Sequence, residues 1–410
     1  MRFLLFLLLL VSFNVSAQKN YEFRNGNWYN GKDFTPGTWY STGGKLTKKA
    51  PSKIDSVIDL TNKWVVPPMG DAFGTCLTAN PTPDMQLRSY HNEGVFYVQI
   101  LGNTNLQRTE IAPKGNQPTS PDISFANGEI TCTLGEPFFK YEPAAMDIKN
   151  PNLIAQKQEE IKNSRKGLGD GYWFIDNTSA VSANWEKIKA QKPGVISIWL
   201  LDAEKNGGKP SFGLSPEVAK AIIKKAHKAD LKVFAHVANA ADLRLAITLG
   251  VDGIANLPGM QWDGTGDTKA YDLTENDIKL LVKKQTAIVP LLTKAQNTGT
   301  LHSSLRDYHK KTLKRLLDAG ANVLVGSDDP IRTIRSEVNY WFALGDIPAD
   351  AVLKSLCERT PRAIFPNRKI GKIEPKYEAS FLVLEDNPLN NLLKIRAVDF
   401  KVKNGVLLPK

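Results

Sequence analysis

LSPEVAKAIIKKAHKADLKVFAHVANAADLRLAITLGVDGIANL, residues 214–257, holds the pattern that decides the fold. Ser215 stands before Pro216 as an N-cap before a proline at the first helical position, and Val218, Ala221, Ile222 and Ala226 recur on one face. This spacing predicts a helix over Leu214–Asp230. Lys232–Val237 then reads as a short apolar strand, Asp242–Leu249 as a helix stopped by Gly250, and Gly253–Leu257 as another buried strand. Strands joined through a helix in this way lie parallel in one sheet.

The alternation continues outward from that stretch. Strand-like runs fall at Trp64–Val66, Val95–Leu101, Glu129–Leu134, Val195–Leu201, Ala287–Leu292 and Asn322–Val325, bringing the total to eight. Helical stretches follow at Asp277–Lys284, capped by Thr274, and at Ser304–Ala319, ended by Gly320. Eight strand–helix units make an α/β protein, and a TIM (β/α)8 barrel is the architecture they fit. A doubly wound open sheet is the rival with the same local pattern.

Both ends differ in texture. Tyr21–Tyr40 is rich in Gly, Trp and Tyr, with Asn25-Gly26 and Asn30-Gly31 as hairpin turn signals. The tail has short strands at Ala379–Leu384 and Val398–Val402 before the turn Asn404-Gly405. The expected organisation is a signal peptide over 1–17, a composite β-sandwich from 18–63 and 368–410, and a barrel over 64–367. Met1-Arg2, the apolar run Phe3–Val11 and Val15-Ser16-Ala17 have the order of a secretory leader cut after Ala17. The apolar run is shorter than the roughly 20 residues that span a bilayer, so no stable membrane insertion is expected. Export to the periplasm or secretion is the expected destination.

Of 410 residues, 42% are hydrophobic, which is normal for a chain with a large buried core and excludes a disordered protein. The formal charge is +11, but lysines such as Lys224, Lys225, Lys283, Lys284, Lys310 and Lys311 are scattered over helix faces without an aromatic-basic motif. They read as solvated faces and not as a nucleic-acid surface. Cys76, Cys132 and Cys357 are too few and too separated for a disulfide framework or zinc ribbon, though one bridge is open to them. Gly167-Leu168-Gly169-Asp170-Gly171 has neither a preceding strand nor a Lys-Ser/Thr, which argues against a phosphate cradle. The expected partner is a small-molecule ligand; a homo-oligomer stays open.

In a barrel, chemistry sits at the C-terminal ends of the strands. The residues there are Asp71, Phe73, Thr75 and Cys76 after the first strand, Ser197 in the fourth, His236 ending the fifth, Asn256 ending the sixth, and Ser327, Asp328 and Asp329 after the eighth. His236 and Asp328 are the candidate catalytic pair: a neutral imidazole can bind metal or shuttle a proton, and a carboxylate delivered by a buried strand can act as base or ligand. The alternatives are a histidine hydrogen-bonded within the mouth and an aspartate capping the next turn. Phe73, Thr75, Ser197 and Asn256 are candidate pocket-lining residues. The aromatics Tyr172, Trp173, Phe174, Trp185, Trp199 and Trp262 read mainly as core, with a pocket wall as the second role. His91, His227, His302 and His309 are expected at the surface.

Several segments together resemble the imidazolonepropionase-like and prolidase-like members of the amidohydrolase superfamily, specifically their exported relatives. They are Trp64-Val65-Val66-Pro67-Pro68-Met69-Gly70-Asp71-Ala72, Lys192-Pro193, His236 to Asp242 with Gly250-Val251-Asp252, Gly326-Ser327-Asp328, Thr360 to Pro366, and Ile370-Gly371-Lys372-Ile373-Glu374-Pro375 through Leu384. The resemblance covers nearly the whole chain after the leader and implies a TIM barrel of the metal-dependent hydrolase type with a composite β-sandwich. It further implies one or two divalent metals, zinc in intact relatives. These would be held by His-x-His on strand one, a lysine on strand four, histidines on strands five and six and an aspartate on strand eight. Here those positions are Phe73, Thr75, Ser197 and Asn256, and only His236 and Asp328 match.

A catalytic zinc takes about three protein ligands plus water, so the metal site reads as degenerate and no cofactor is expected. Cys76, Asp71, Asp329 and Glu204 are the other possible donors, none with a spacing that argues for ligation. Three functions compete: a small-molecule-binding pseudo-enzyme or weak hydrolase; an active hydrolase of C–N bonds, metal-free or with a rebuilt site, using Asp328 as general base and His236 as acid or electrophile; and a structural or interaction module.

Overall fold

The structure is a computed structural model that describes residues 18–79, 82–201, 213–260, 262, 264–296 and 302–408. The leader and Glu204 lie outside the described residues. Strands from both ends of the chain form one eight-stranded sheet. Its order is Val406–Leu408, Val398–Lys403, Phe381–Leu384, Trp64–Val66, Tyr21–Tyr29, Phe34–Thr42 and Lys45–Thr47, with Ser56–Asp59 also pairing Tyr21–Tyr29. Phe23, Trp28, Trp39, Phe381 and Val402 close its own core. The ring centroids of Phe23 and Phe381 lie 4.9 Å apart, so N-terminal and C-terminal aromatics pack directly.

Trp64–Val66, expected as the first strand of the barrel, is the seam of this sheet. It runs parallel to Tyr21–Tyr29 and antiparallel to Phe381–Leu384. A three-residue apolar run carries no mark of which sheet it will join. Asn25-Gly26 is likewise not a hairpin turn. Tyr21–Tyr29 stays one strand with a bulge between Phe23 and Gly26, Asn25 taking a φ of 61°. The hairpin turn is at Asn30-Gly31, where Asn30 N donates to Asp33 O at 2.9 Å.

The rest is built on two parallel sheets. Met69–Asp71, Val95–Ile100 and Asp122–Phe125 form the smaller one. The seven-stranded one runs Tyr172–Phe174, Glu129–Thr131, Ile196–Trp199, Val233–His236, Gly253–Ile254, Ala287–Ile288 and Asn322–Val323. The third barrel strand expected at Glu129–Leu134 is therefore preceded by an unforeseen strand, Asp122–Phe125. From Ile196 onward each strand pairs with the next in sequence, without the reversal of order that defines a doubly wound sheet.

The ladders do not make one continuous closed sheet, but backbone hydrogen bonds cross both seams. Gly194 N donates to Phe125 O at 2.8 Å on one side. On the other, Ala72 N reaches Val325 O and Asp328 N reaches Phe73 O, each at 2.8 Å. Between the sheets lies an apolar cluster of Phe73, Leu101, Ala126, Val195, Phe234, Ala255, Val289 and Leu324. Helices cover the outside with their apolar faces. Pro216–Lys228 begins at Ser215, whose hydroxyl accepts from Val218 N, and buries Val218, Ala219, Ile222 and Ile223. Ala240–Leu249 starts in a capping box of Asn239 and Asp242 and ends at Gly250 with φ 90°.

Two further expectations are corrected. His91 and His309 are buried, His91 stacked on Phe96 and His309 Nδ1 3.0 Å from Tyr340 Oη, because a polar helix residue faces inward wherever another element packs on it. No disulfide joins Cys76, Cys132 or Cys357 to another of the three. Asp71 is fully buried and accepts from Phe73 N, Ser327 N, Ser327 Oγ and Tyr90 Oη, tying the first parallel strand to the turn after the last.

Candidate functional site

His236 ends the Val233–His236 strand with its ring at the mouth of the two sheets. The Trp199 indole, one strand over, stacks on it at 4.1 Å with 5° between planes, and the Phe73 ring meets it edge-on at 5.6 Å. Ser197 Oγ lies 3.1 Å from His236 Nε2, and Glu129 Oε2 lies 3.3 Å from the same nitrogen.

Glu129 is a buried residue of this mouth that strand-exit reasoning overlooked. It opens the Glu129–Thr131 strand and is buried, accepting from Trp199 Nε1 at 2.8 Å and Tyr141 Oη at 3.1 Å. Lys140 Nζ stands 4.0 Å from its other oxygen. Gly102 allows this approach, since a Cβ there would sit 2.1 Å from Glu129 Oε1. Burial pushes the Glu129 carboxyl up, partly offset by Lys140 and the Trp199 hydrogen bond. Burial pushes His236 well down, helped by the positive charges of Lys294 and Lys140. Both directions favour the uncharged forms.

Asp328 occupies the opposite side, at φ 36° in the turn that follows the last strand. Thr75 Oγ1 donates to its Oδ1 at 2.7 Å, and Lys294 Nζ donates to its Oδ2. Lys294 belongs to the short helix Leu292–Gln296 just beyond the Ala287–Ile288 strand. That helix is held by a second buried carboxylate: Glu337 accepts from Leu292 N, Thr293 N, Thr293 Oγ1 and Trp341 Nε1, all within 2.9 Å. Applying the strand-exit rule to the seventh strand as well would have found Lys294; Glu129 opens its strand and carries no such signal.

The structure thus gathers Phe73, Thr75, Ser197, His236 and Asp328 around one mouth and adds Glu129, Tyr141, Trp199, Lys140 and Lys294. Asn256 is placed differently. Its amide accepts from Val237 N and donates to Val237 O and Leu257 O, clipping two strand ends together with its hydrogen-bonding capacity taken up by backbone.

These residues do not fit a divalent cation. Among the described residues no three His, Cys, Asp or Glu side chains converge as a metal-holding group. The reason is visible in the mouth: an apolar ring stands at Phe73, hydroxyls at Thr75 and Ser197, and an ammonium on Asp328. Of the other possible donors, Asp71 and Cys76 are bonded in the buried Tyr90 network and Asp329 Oδ1 caps a turn by accepting from Ile331 N and Arg332 N.

Residues 168–408, more than half of the chain, match the sequence profile of the Amidohydrolase family. An ochratoxinase of Aspergillus niger is 23% identical over 192 residues, which span 45% of this chain and only 38% of the ochratoxinase. Among solved structures, that of A. niger ochratoxinase superposes with a TM-score of 0.72 at 16% identity, covering 96% of each chain. A Xaa-Pro dipeptidase with bound methionine gives a TM-score of 0.68 at 16% identity, over 96% of this chain and 100% of its own. Molinate hydrolase gives 0.68 at 16% identity, over 96% of this chain and 95% of its own. At these identities the likeness is one of fold.

Proposed function

Because the chain belongs to the amidohydrolase family, we propose that it derives from the C–N bond hydrolases its ochratoxinase and prolidase neighbours represent and binds a small amide- or carboxylate-bearing molecule at its mouth without a metal ion. The fold is that of the family; the chemistry at the mouth is what differs in this reading. One observation carries the reading: the groups that would have to activate water are already engaged by other side chains. Asp328 is bonded to Thr75 and Lys294, and His236 Nε2 faces Ser197 and Glu129. A metal-bound water ionises near pH 7, whereas free water has a pKa of about 15.7, and among the described residues of this mouth none is left unengaged to supply that activation.

The test is elemental analysis of protein purified without chelator, together with thermal-shift screening and a hydrolysis screen over cyclic amides, dipeptides and lactones. The reading expects ligand-dependent stabilisation, no stoichiometric metal and no turnover. Turnover abolished by Asp328→Asn, or one tightly held divalent ion per chain, refutes it.

A metal-free hydrolase is the second reading, favoured by the buried 3.3 Å approach of Glu129 to His236, which can relay a proton. In it Asp328, released from Lys294 on substrate entry, acts as general base and His236 as acid or electrophile. Loss of turnover in His236→Asn with ligand binding retained identifies it.

We also infer export to the periplasm or medium from the Met1–Ala17 leader pattern; no described helix is long and apolar enough to cross a membrane. N-terminal sequencing of the secreted or periplasmic product, beginning at Gln18, checks this.

A further inference from the structure

We infer that a second small-molecule site lies outside the mouth, in a cleft between the Pro83–Glu93 and Arg335–Leu344 helices, and takes an organic carboxylate that carries a hydroxyl or N–H donor. The inference is independent of the function proposed for the mouth, since none of Glu129, Trp199, His236 and Asp328 lines this cleft.

The cleft measures about 660 Å³, within the range of sites for small organic ligands. Two of its walls are helix stripes. Met85, Ser89 and Glu93 recur at four-residue spacing on the first helix, and Arg335, Asn339 and Ala343 do so on the second. A third wall, Ile331 to Thr333, is pinned at four points. Asp329 Oδ1 accepts from Ile331 N and Arg332 N, both at 2.8 Å, Gln86 Nε2 donates to Ile331 O at 3.1 Å, and the Thr333 hydroxyl donates to Glu93. A wall fixed in this way positions its side chains before any ligand arrives.

Two observations identify the chemistry of the ligand. Asn339 Oδ1 is buried, with no hydrogen-bond partner among the described residues. An acceptor left unmade in this way carries a free-energy cost that a donor on a bound molecule removes. Arg332 and Arg335 both line the cleft, and among the described residues neither guanidinium donates a hydrogen bond; the carboxylates they face, Asp329 and Glu93, stand 3.8 and 3.5 Å away. Glu93 is the one acid among the described lining residues, and burial pushes its carboxyl up, so the positive charge of the arginines is less cancelled. The planar guanidinium fork suits a carboxylate. Met85 and Ile331, both exposed, offer apolar surface to the rest of the molecule.

Mandelate, with a carboxylate, a hydroxyl and an apolar ring, is the probe. It is titrated calorimetrically into wild type, Arg332→Met, Arg335→Met, Asn339→Leu and Trp199→Leu, beside methyl mandelate, which lacks the charge, and phenylacetate, which lacks the hydroxyl. Near-ultraviolet circular dichroism confirms that each variant is folded, and Arg332, with its side chain 64% exposed, can be exchanged without disturbing the core. Wild type should bind one mandelate per chain, with methyl mandelate and both arginine variants at least about tenfold weaker. Asn339→Leu should weaken mandelate about tenfold and leave phenylacetate unchanged. Trp199→Leu should bind mandelate as wild type does. If wild type shows no saturable binding of mandelate, or if the folded arginine variants match wild type, the inference falls. If Trp199→Leu alone loses mandelate, the carboxylate sits at the mouth, and the inference falls while the function proposed for the mouth stands.

Discussion

Replacing His309 by Gln should remove a defined part of the protein's sensitivity to acid. His309 lies on the Ser303–Asp318 helix, is 2% exposed, and its Nδ1 is 3.0 Å from the Tyr340 hydroxyl of the neighbouring helix. Burial alone lowers its pKa from 6.5 to about 4. A base whose pKa is depressed by folding stabilises the native state above its unfolded pKa, and that stability is lost as pH falls, because the unfolded chain takes up a proton that the native state refuses.

With 6.5 unfolded and about 4 folded, the loss attributable to this residue is about 0.2 kcal/mol at pH 7 and about 2 kcal/mol at pH 5. Glutamine keeps a partner for Tyr340 and cannot be charged. Urea unfolding of wild type and His309→Gln at pH 7, 6 and 5 measures the effect. The wild type should lose about 2 kcal/mol more than the variant between pH 7 and 5. Other buried groups, such as His91, with a pKa lowered to about 4, and Glu129, Asp71 and Glu337, with carboxyls pushed up by burial, cancel in the comparison. Since no neighbouring charge contributes, added salt should leave the difference unchanged. Parallel pH profiles for the two proteins would refute the reasoning.

Four other substitutions probe the frame and the mouth. Asp71→Ala leaves Phe73 N, Ser327 N and Tyr90 Oη without their acceptor and Ser327 Oγ with Phe73 O alone, and should cost at least about 3 kcal/mol in chemical denaturation. Lys403→Met should cost about 3 kcal/mol, since the buried ammonium donates to Gln117 O, Ser120 O and Asp122 Oδ1 and its loss weakens the junction of the terminal sheet with the Asp122–Phe125 strand; a change under about 0.5 kcal/mol would show the junction to be apolar in origin. Trp199→Leu removes both the ring stacked on His236 and the indole donor to Glu129, so any ligand found in the thermal-shift screen should bind at least about tenfold more weakly, by isothermal titration, while Asn256→Ala, remote from the mouth in its bonding, lowers stability with less effect on binding.

Much of the site was legible because strand exits have a readable signature. His236 follows Phe234-Ala235 and Asp328 follows Val325-Gly326-Ser327, each an apolar run broken by one ionisable residue. Glu129 carries no such mark: it begins its strand, and only the placement of Gly102, Tyr141 and Trp199 around it makes it part of the mouth. Lys294 looks like any of the scattered lysines until Glu337, some forty residues later, fixes the helix on which it sits. Asn256 shows the converse, a polar strand-end residue turned to backbone clipping.

By itself the sequence determined the alternation of strand and helix and the helix stops, because periodicity and caps are local properties of the chain. Which sheet claimed Trp64–Val66, whether His91 and His309 faced water, and which cation met Asp328 were decided only in three dimensions. A short apolar strand pairs equally well with any free edge, and a long lysine reaches whichever carboxylate the fold brings near. Those choices depend on contacts between residues far apart in the chain, which local pattern does not encode.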